Sequence, residues 1–295
     1  MRVLMIGATG RFAGHVLPEL KRRGIRVRAL VRSRKAERIA RERGADETVL
    51  GDLEDPRCLI SAAVSSDGVF HIGPAFSPAE SAMGVTMVEA AHAAGVRKFV
   101  FSGVIHPSIS KLTNHAAKQP VEEALYESGM TYTVLQPASF MQNIEPEWDR
   151  IQQTGVFALP YSQRARVSYV DYRDVAEAAA LAFLGERLDN GTFELCAPGM
   201  LSRMEVATLM SEALLRRIEA AEIDFDEWAD RVGLPEGPRR AGMQRLFAQY
   251  DQHGFHGGNP LVLRTILGRE PRTLRQFFRE LAGSAAQIAA RDLAA

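Results

Sequence analysis

Apolar residues in this chain fall into short unbroken runs, and between them lie stretches with helical spacing. Residues 3–6 (Val3, Leu4, Met5, Ile6) form a run that suits a strand buried on both faces of a parallel sheet. The next stretch places Phe12, Val16 and Leu20 on one helical face, with Lys21, Arg22 and Arg23 in the last turn and Gly24 as a stop. The rhythm repeats. Strands are predicted at 25–31, 47–50, 68–72, 97–101 and 131–135, and helices at 34–43, 56–64, 79–94 and 117–128. Such alternation implies right-handed crossovers and an α/β fold with a doubly wound parallel sheet. From about residue 140 the rhythm loosens, with short strands at 156–159, 165–170 and 192–197 and helices at 174–184 and 203–217. Helices broken by Gly and Pro clusters follow at 224–282. The reading predicts a nucleotide-binding domain over 1–150, rejoined by later strands from about 156–197. A smaller, mainly helical cap over 198–282 should lie at the carboxyl edge of the sheet, with a frayed Ala-rich tail at 283–295.

The turn between the first strand and helix reads Gly7-Ala8-Thr9-Gly10-Arg11-Phe12-Ala13-Gly14. Strand, glycine turn and helix in that order make a dinucleotide-binding unit. Gly7 permits the tight turn, and Gly10 lets the backbone approach a pyrophosphate. Ala13 and Gly14 are expected to let the helix pack close on the strand. Unpaired amides of Ala8, Thr9 and their neighbours then face the phosphates, and Arg11 adds a cation.

The tip of the second strand decides between the two nicotinamide dinucleotides. It reads Ala29-Leu30-Val31-Arg32-Ser33-Arg34-Lys35, without the carboxylate that would accept from ribose hydroxyls. Arg32 can lie against adenine or a 2′-phosphate and Ser33, Arg34 and Lys35 offer further donors, which points to NADP(H); the alternative is a solvated basic helix start. After the third strand, Asp52 is placed to accept from adenine beside Leu53, or else to form an Asx turn before Pro56. Ile72 and Gly73, after the fourth strand, would line the nicotinamide ribose; His71 reads as a buried core histidine. Ser102 and Pro137, at the ends of later strands, complete the expected cofactor wall. Ser102 is equally a substrate contact or a plain strand-end serine. Phe140, Met141 and Asn143 form an apolar wall with one amide for a flat substrate. Asp171 and Asp174 read as a helix cap and a first-turn acid.

Composition narrows the classes. Of 295 residues, 36 are Lys or Arg and 36 Asp or Glu, so no charge excess points to nucleic acid or an anionic membrane. Cys58 and Cys196 are too few for a metal cluster or a disulfide framework and read as buried thiols. No stretch has the length and apolarity of a membrane span, and a strand beginning at residue 2 leaves no room for a signal peptide, so a cytoplasmic protein is expected.

Several motifs resemble the NmrA-like branch of the atypical short-chain dehydrogenase/reductases. They are Gly7-Ala8-Thr9-Gly10, Leu30-Val31-Arg32, Gly51-Asp52-Leu53, His115-Ala116-Ala117-Lys118 before Val121-Glu122, and 128–133 leading into Leu135-Gln136-Pro137-Ala138-Ser139-Phe140-Met141-Gln142-Asn143. Asp171-Tyr172-Arg173-Asp174-Val175-Ala176 and 268–273 continue the resemblance. It implies a Rossmann-like NAD(P)-binding sheet, and either a reductase of quinones, enones or benzylic ethers or a redox-sensing regulator. Most short-chain dehydrogenases use Tyr-x-x-x-Lys, whereas this chain has Asn114 where the tyrosine would be and retains Lys118. An amide cannot deliver a proton, which disfavours ordinary ketone reduction and sugar-nucleotide epimerisation. Lys118, matching a lysine implicated in related reductases, is expected to hold the nicotinamide ribose or polarise a substrate oxygen. Its bland alternative is an exposed partner for Glu122. His115, three residues earlier, is a candidate proton donor. The expectation is an NADPH-dependent reductase of a small apolar, planar quinone or conjugated carbonyl, with a non-catalytic NADP(H) sensor as the alternative. No metal, nucleic acid or membrane is expected; a homodimer or a regulatory protein partner is left open.

Overall fold

The computed structural model describes residues 1–292, with side chains through residue 283. Seven strands form the main sheet: β1 (Arg2–Met5), β2 (Arg26–Val31), β3 (Glu47–Leu50), β4 (Gly68–His71), β5 (Lys98–Ser102), β6 (Thr131–Pro137) and β10 (Gly191–Leu195). Their order is β10-β6-β5-β4-β1-β2-β3, and every pairing is parallel. A parallel sheet needs helical crossovers on both faces, which explains why its central strands are unbroken apolar runs. Leu4, Val69, Phe99 and Phe101 from the sheet meet Met87, Val88, Val121 and Leu125 from the covering helices in one core. The order reverses between β1 and β4, so the loops leaving those two strands flank the crevice where open α/β sheets bind ligands.

The crossover helices are α1 (Val16–Arg22), α2 (Arg34–Glu42), α3 (Pro56–Ala63), α4 (Glu80–Ala93), α5 (Thr113–Ala116) and α6 (Gln119–Glu127); α8 (Tyr172–Phe183) comes later in the chain. Ser33 caps α2 by accepting from Ala36 N at 3.2 Å, and Asp55 caps α3. The helix expected at 117–128 is observed at 119–127, preceded by the separate short helix α5. Pro120, in the first turn of α6, lacks an amide hydrogen and restricts Gln119, so the chain breaks at Lys118 and restarts. Helices α4 and α6 approach closely at Gly84, where a Cβ would lie 2.3 Å from Val121 Cγ2.

The chain divides into two compact units. The first comprises residues 1–137, 172–195 and 265–268; the second comprises 138–171, 196–264 and 269–295. The division therefore falls at 137/138 rather than near 150. Of the strands expected to rejoin the main sheet between 156 and 197, Gly191–Leu195 does so. The others build the second unit. There β7 (Ser139–Phe140), β9 (Arg166–Val170) and β11 (Met200–Ser202) form one small sheet, and β8 (Val156–Leu159) pairs in parallel with β12 (Glu219–Glu222). The unit also holds α7 (Trp148–Thr154), α9 (Arg203–Leu214), α10 (Phe225–Arg231), α11 (Pro238–His253) and α13 (Leu274–Asp292), while α12 (Leu261–Leu267) spans the division.

Buried Arg203 staples the β8–β12 region, donating to Leu159 O at 2.9 Å and to Ala221 O while lying 4.3 Å from the Tyr161 ring centroid. Helix α9 stops at Leu214, short of the expected 217, because Leu215 turns left-handed at φ 52°. The tail expected to fray from 283 continues as α13 to Asp292; 293–295 lie outside the described residues. Cys196 is buried and Cys58 only half-buried, which corrects the expectation of two buried thiols. Among the described residues, no helix is long and apolar enough to cross a membrane.

Candidate functional site

The first unit builds a cradle where β1 ends. Ile6 N still bonds Phe70 O at 2.9 Å, and the chain then turns at Gly7 with φ +81°. A Cβ there would sit 2.9 Å from Ile72 Cγ2, so this glycine answers both the turn and the neighbouring loop. Gly10 N closes the turn on Gly7 O at 2.7 Å, and Gly14 N follows on Gly10 O at 3.0 Å. The Ala8 and Thr9 amides take no acceptor among the described residues. Gly10 and Arg11 are exposed, and the Arg11 guanidinium lies 4.5 Å from the Phe12 ring centroid. A tight turn of open backbone N–H groups that admits no side chain at Gly7 fits a diphosphate.

Around it, Arg32 and Lys35 are exposed and make no hydrogen bond or ion pair to a described residue. Arg34 instead pairs with Glu37 at 2.7 Å, and the Ser33 side chain is committed to the cap of α2. Asp52 is exposed and closes an Asx turn on Glu54 N at 3.1 Å, which leaves carboxylate lone pairs for a ligand; Leu53 packs on the core. Ile72 and Gly73 are partly exposed beside the turn. Pro137 is buried at the end of β6.

The structure places the three candidate chemical residues as follows. Lys118 is not an exposed partner of Glu122. It is 5% exposed and ion-paired with Glu80, itself 2% exposed. The other Glu80 oxygen accepts from Phe76 N at 3.1 Å, so one carboxylate ties Lys118 to the loop after β4. His115 is 1% exposed and its Nδ1 faces His106 O at 3.1 Å, which props a left-handed turn at His106. Burial pushes its pKa down to about 4, so it is neutral near pH 7 and holds no ready proton for a substrate. Ser102 is fully buried with its Oγ 3.1 Å from the Tyr172 hydroxyl, so it presents no free group to a ligand in this conformation.

In the second unit, a cavity of about 320 Å³ is lined by Met141, Tyr169, Leu201, Leu209, Leu274 and Arg275 among others. Only Met141 of the expected apolar wall reaches it. Phe140 belongs to β7, in register with Val170, and Asn143 is exposed. Gln142, between them, donates to buried Asp171 at 2.8 Å, so Asp171 holds a side chain as well as preceding α8.

The sequence profile of the NmrA-like family matches residues 1–281. The chain belongs to the NmrA-like family. An NAD(P)H azoreductase from Xenophilus azovorans is 30% identical over 281 residues, 93% of this chain and 96% of that one. An NADPH-dependent quinone oxidoreductase from Escherichia coli, solved with NADPH, shares the fold at TM-score 0.81 and 20% identity, over 95% of this chain and 99% of its own. Nmra, a negative transcriptional regulator, does so at TM-score 0.78 and 18% identity, over 98% of each chain.

Three residues of this NmrA-like chain escaped the sequence reading. Glu80 opens a helix and gives no signal of pairing with a lysine 38 positions later. The Tyr172 ring lies tilted against Phe12, centroids 5.6 Å apart, its hydroxyl holds Ser102, and burial raises its pKa. Arg43 reaches from the end of α2 to the glycine turn, with Nη1 3.1 Å from Ala8 O and 3.0 Å from Gly10 O. Gly14 makes room for that guanidinium, since a Cβ there would lie 2.6 Å from Nη1. The space is needed for Arg43, not for packing on β1.

The buried histidines give this NmrA-like chain an acid-sensitive fold. His71 has no hydrogen-bond partner on either ring nitrogen, and its pKa is lowered to about 3 by burial and then by the Lys118 cation. Both histidines return to the ordinary value of 6.5 on unfolding. Between about pH 4 and 6.5 the unfolded chain therefore binds protons that the folded chain does not. Stability rises with pH across that window and is lost on acidification, by up to about 1.4 kcal/mol per pH unit for each histidine. Glu122, whose pKa burial raises despite its bond to Gln136, opposes this over part of the range. Urea midpoints should fall from pH 7 to pH 5; a flat or rising profile would contradict the assignment.

Proposed function

We propose that the chain is an NADPH-dependent oxidoreductase that reduces a small planar acceptor, a quinone or a conjugated carbonyl. The observation that carries this reading is the amide-lined turn at Gly7–Gly10 beside a strand tip bearing exposed Arg32 and Lys35 and no acid. The likeness to an NAD(P)H azoreductase supports it, because an azo bond is also an electron-poor π system that accepts hydride. A reduced nicotinamide dinucleotide, with its diphosphate at the cradle, would supply the hydride. The amides of the glycine turn would hold the diphosphate, and Arg32 and Lys35 would take the 2′-phosphate. Asp52 and Leu53 receive the adenine, and Ile72 and Gly73 border the ribose. Lys118 would supply the cation that stabilises the oxygen gaining charge, and the single proton that completes the reduction would come from solvent.

Wild-type protein should oxidise NADPH in the presence of members of a panel of quinones, enones and azo dyes; no turnover with any of them would defeat the reading. Arg32→Ala with Lys35→Ala should weaken NADPH binding by roughly 10- to 100-fold and leave NADH binding near its starting value. Calorimetry with both dinucleotides measures this, and an equal loss for the two would refute the 2′-phosphate assignment.

A second reading is a sensor that binds NADP(H) without turnover. Asn114 in place of the tyrosine favours it, as does a Lys118 engaged by Glu80. Binding of NADPH without oxidation across the panel would select it.

A further inference from the structure

We propose that Arg43 is a positioning residue for the diphosphate cradle, fixing the direction in which the glycine turn presents its amides. The inference rests on the dinucleotide reading of that turn. Arg43 lies at the end of α2, outside the strand-turn-helix motif, and its side chain is exposed. One guanidinium nitrogen nevertheless donates to two carbonyls of the turn, Ala8 O at 3.1 Å and Gly10 O at 3.0 Å.

The consequence follows from peptide geometry. In a trans peptide, the carbonyl of one residue and the amide hydrogen of the next point in opposite directions. Among the described residues there is no cis peptide bond. With the Ala8 and Gly10 carbonyls turned to Arg43, the amides of Thr9 and Arg11 must point to the opposite side. Those are alternate donors of the turn, and a turn with fixed alternate amides is an anion-binding concavity. A free Gly-Ala-Thr-Gly turn samples other peptide orientations, and binding an anion would then carry the cost of selecting one. Arg43 removes that cost in advance.

Its charge contributes less than its geometry. An exposed guanidinium is screened by salt within about 10 Å, whereas the orientation it imposes on the peptide planes is not.

Gly14 supplies an independent handle. A Cβ at this position would come 2.6 Å from Arg43 Nη1, 3.2 Å from its Cζ and 3.9 Å from its Nε, so Arg43 is the close neighbour it would meet. Gly14 does not have a positive φ, so alanine is acceptable to the backbone. Gly14→Ala should therefore act by displacing Arg43, and should have no further effect once Arg43 is gone.

The experiment is a double-mutant cycle of Arg43→Ala and Gly14→Ala, with dissociation constants for NADPH and NADH measured by calorimetry. Hydrogen exchange across residues 7–14 is followed without cofactor. Each single variant should bind both dinucleotides about 5- to 10-fold more weakly, the loss expected for one to two hydrogen bonds. The NADPH-to-NADH ratio should be unchanged, and the double variant should be no weaker than Arg43→Ala. Exchange in the turn should quicken in Arg43→Ala while the melting temperature stays near that of the wild type.

Additive losses, an unchanged affinity in Arg43→Ala, or a loss confined to NADPH would each overturn the proposal; the last would make Arg43 a 2′-phosphate contact. If the wild type binds neither dinucleotide, the functional reading fails and takes this inference with it. If the wild type binds and Arg43→Ala binds equally well, this inference alone fails.

Discussion

Lys118→Met is expected to lower turnover by roughly 10²- to 10³-fold, the usual loss when one donor to a developing oxyanion is removed. It should also destabilise the fold by about 3–5 kcal/mol, because it strands the Glu80 carboxylate in a buried site without its counter-charge. The two effects are separable. In Lys118→Met with Glu80→Gln the buried charge is gone, and the glutamine oxygen can still accept from Phe76 N, which bonds Glu80 at 3.1 Å in the native chain. That double variant should recover most of the stability and none of the turnover. Urea midpoints and steady-state rates on the three proteins give the answer. Recovery of turnover together with stability would mean that Lys118 serves the fold alone.

The second large effect is expected at Gly7. Gly7→Ala puts a side chain at φ +81°, a left-handed conformation costing about 1–2 kcal/mol for an L-residue. It also drives a methyl group to 2.9 Å from Ile72 Cγ2. The turn must open or the loop after β4 must retreat, and both border the proposed cofactor position. NADPH affinity should fall by about 10- to 100-fold, in line with the loss of one to two bonds from amides to a charged group. Ile72→Ala in the same chain removes the collision but not the backbone strain, so it should restore affinity only in part. Calorimetry showing Gly7→Ala to bind like the wild type would remove the glycine turn from the site.

Much of the main sheet was readable because a strand buried on both faces must be an uninterrupted apolar run; Val3, Leu4 and Met5, or Val69 and Phe70, have no other sensible place. The glycine turn and the acid-free strand tip were readable because they lie within a few residues of the strands that present them. What stayed hidden depends on distant partners. Glu80 is an ordinary first-turn acid until folding brings Lys118 against it, and Arg43 is one charge in a charged helix until its tip meets the Ala8 carbonyl. The strand Glu219–Glu222 reads Glu-Ala-Ala-Glu, a poor strand former, and exists only because β8 offers it a partner. Helix α6 starts at Gln119, two residues later than the pattern suggests, because Pro120 suits the first turn of a helix and not its interior.

The outermost strand of the main sheet has a consequence for synthesis. Strand β6 finds its neighbour β10 only after residues 138–171 and α8 have been made. A nascent chain that has emerged as far as Pro137 therefore carries an open sheet border with unmet backbone donors and acceptors, and lacks the Tyr172 that closes over Ser102. The border of the first unit beside β6 is thus completed only by a segment encoded well downstream.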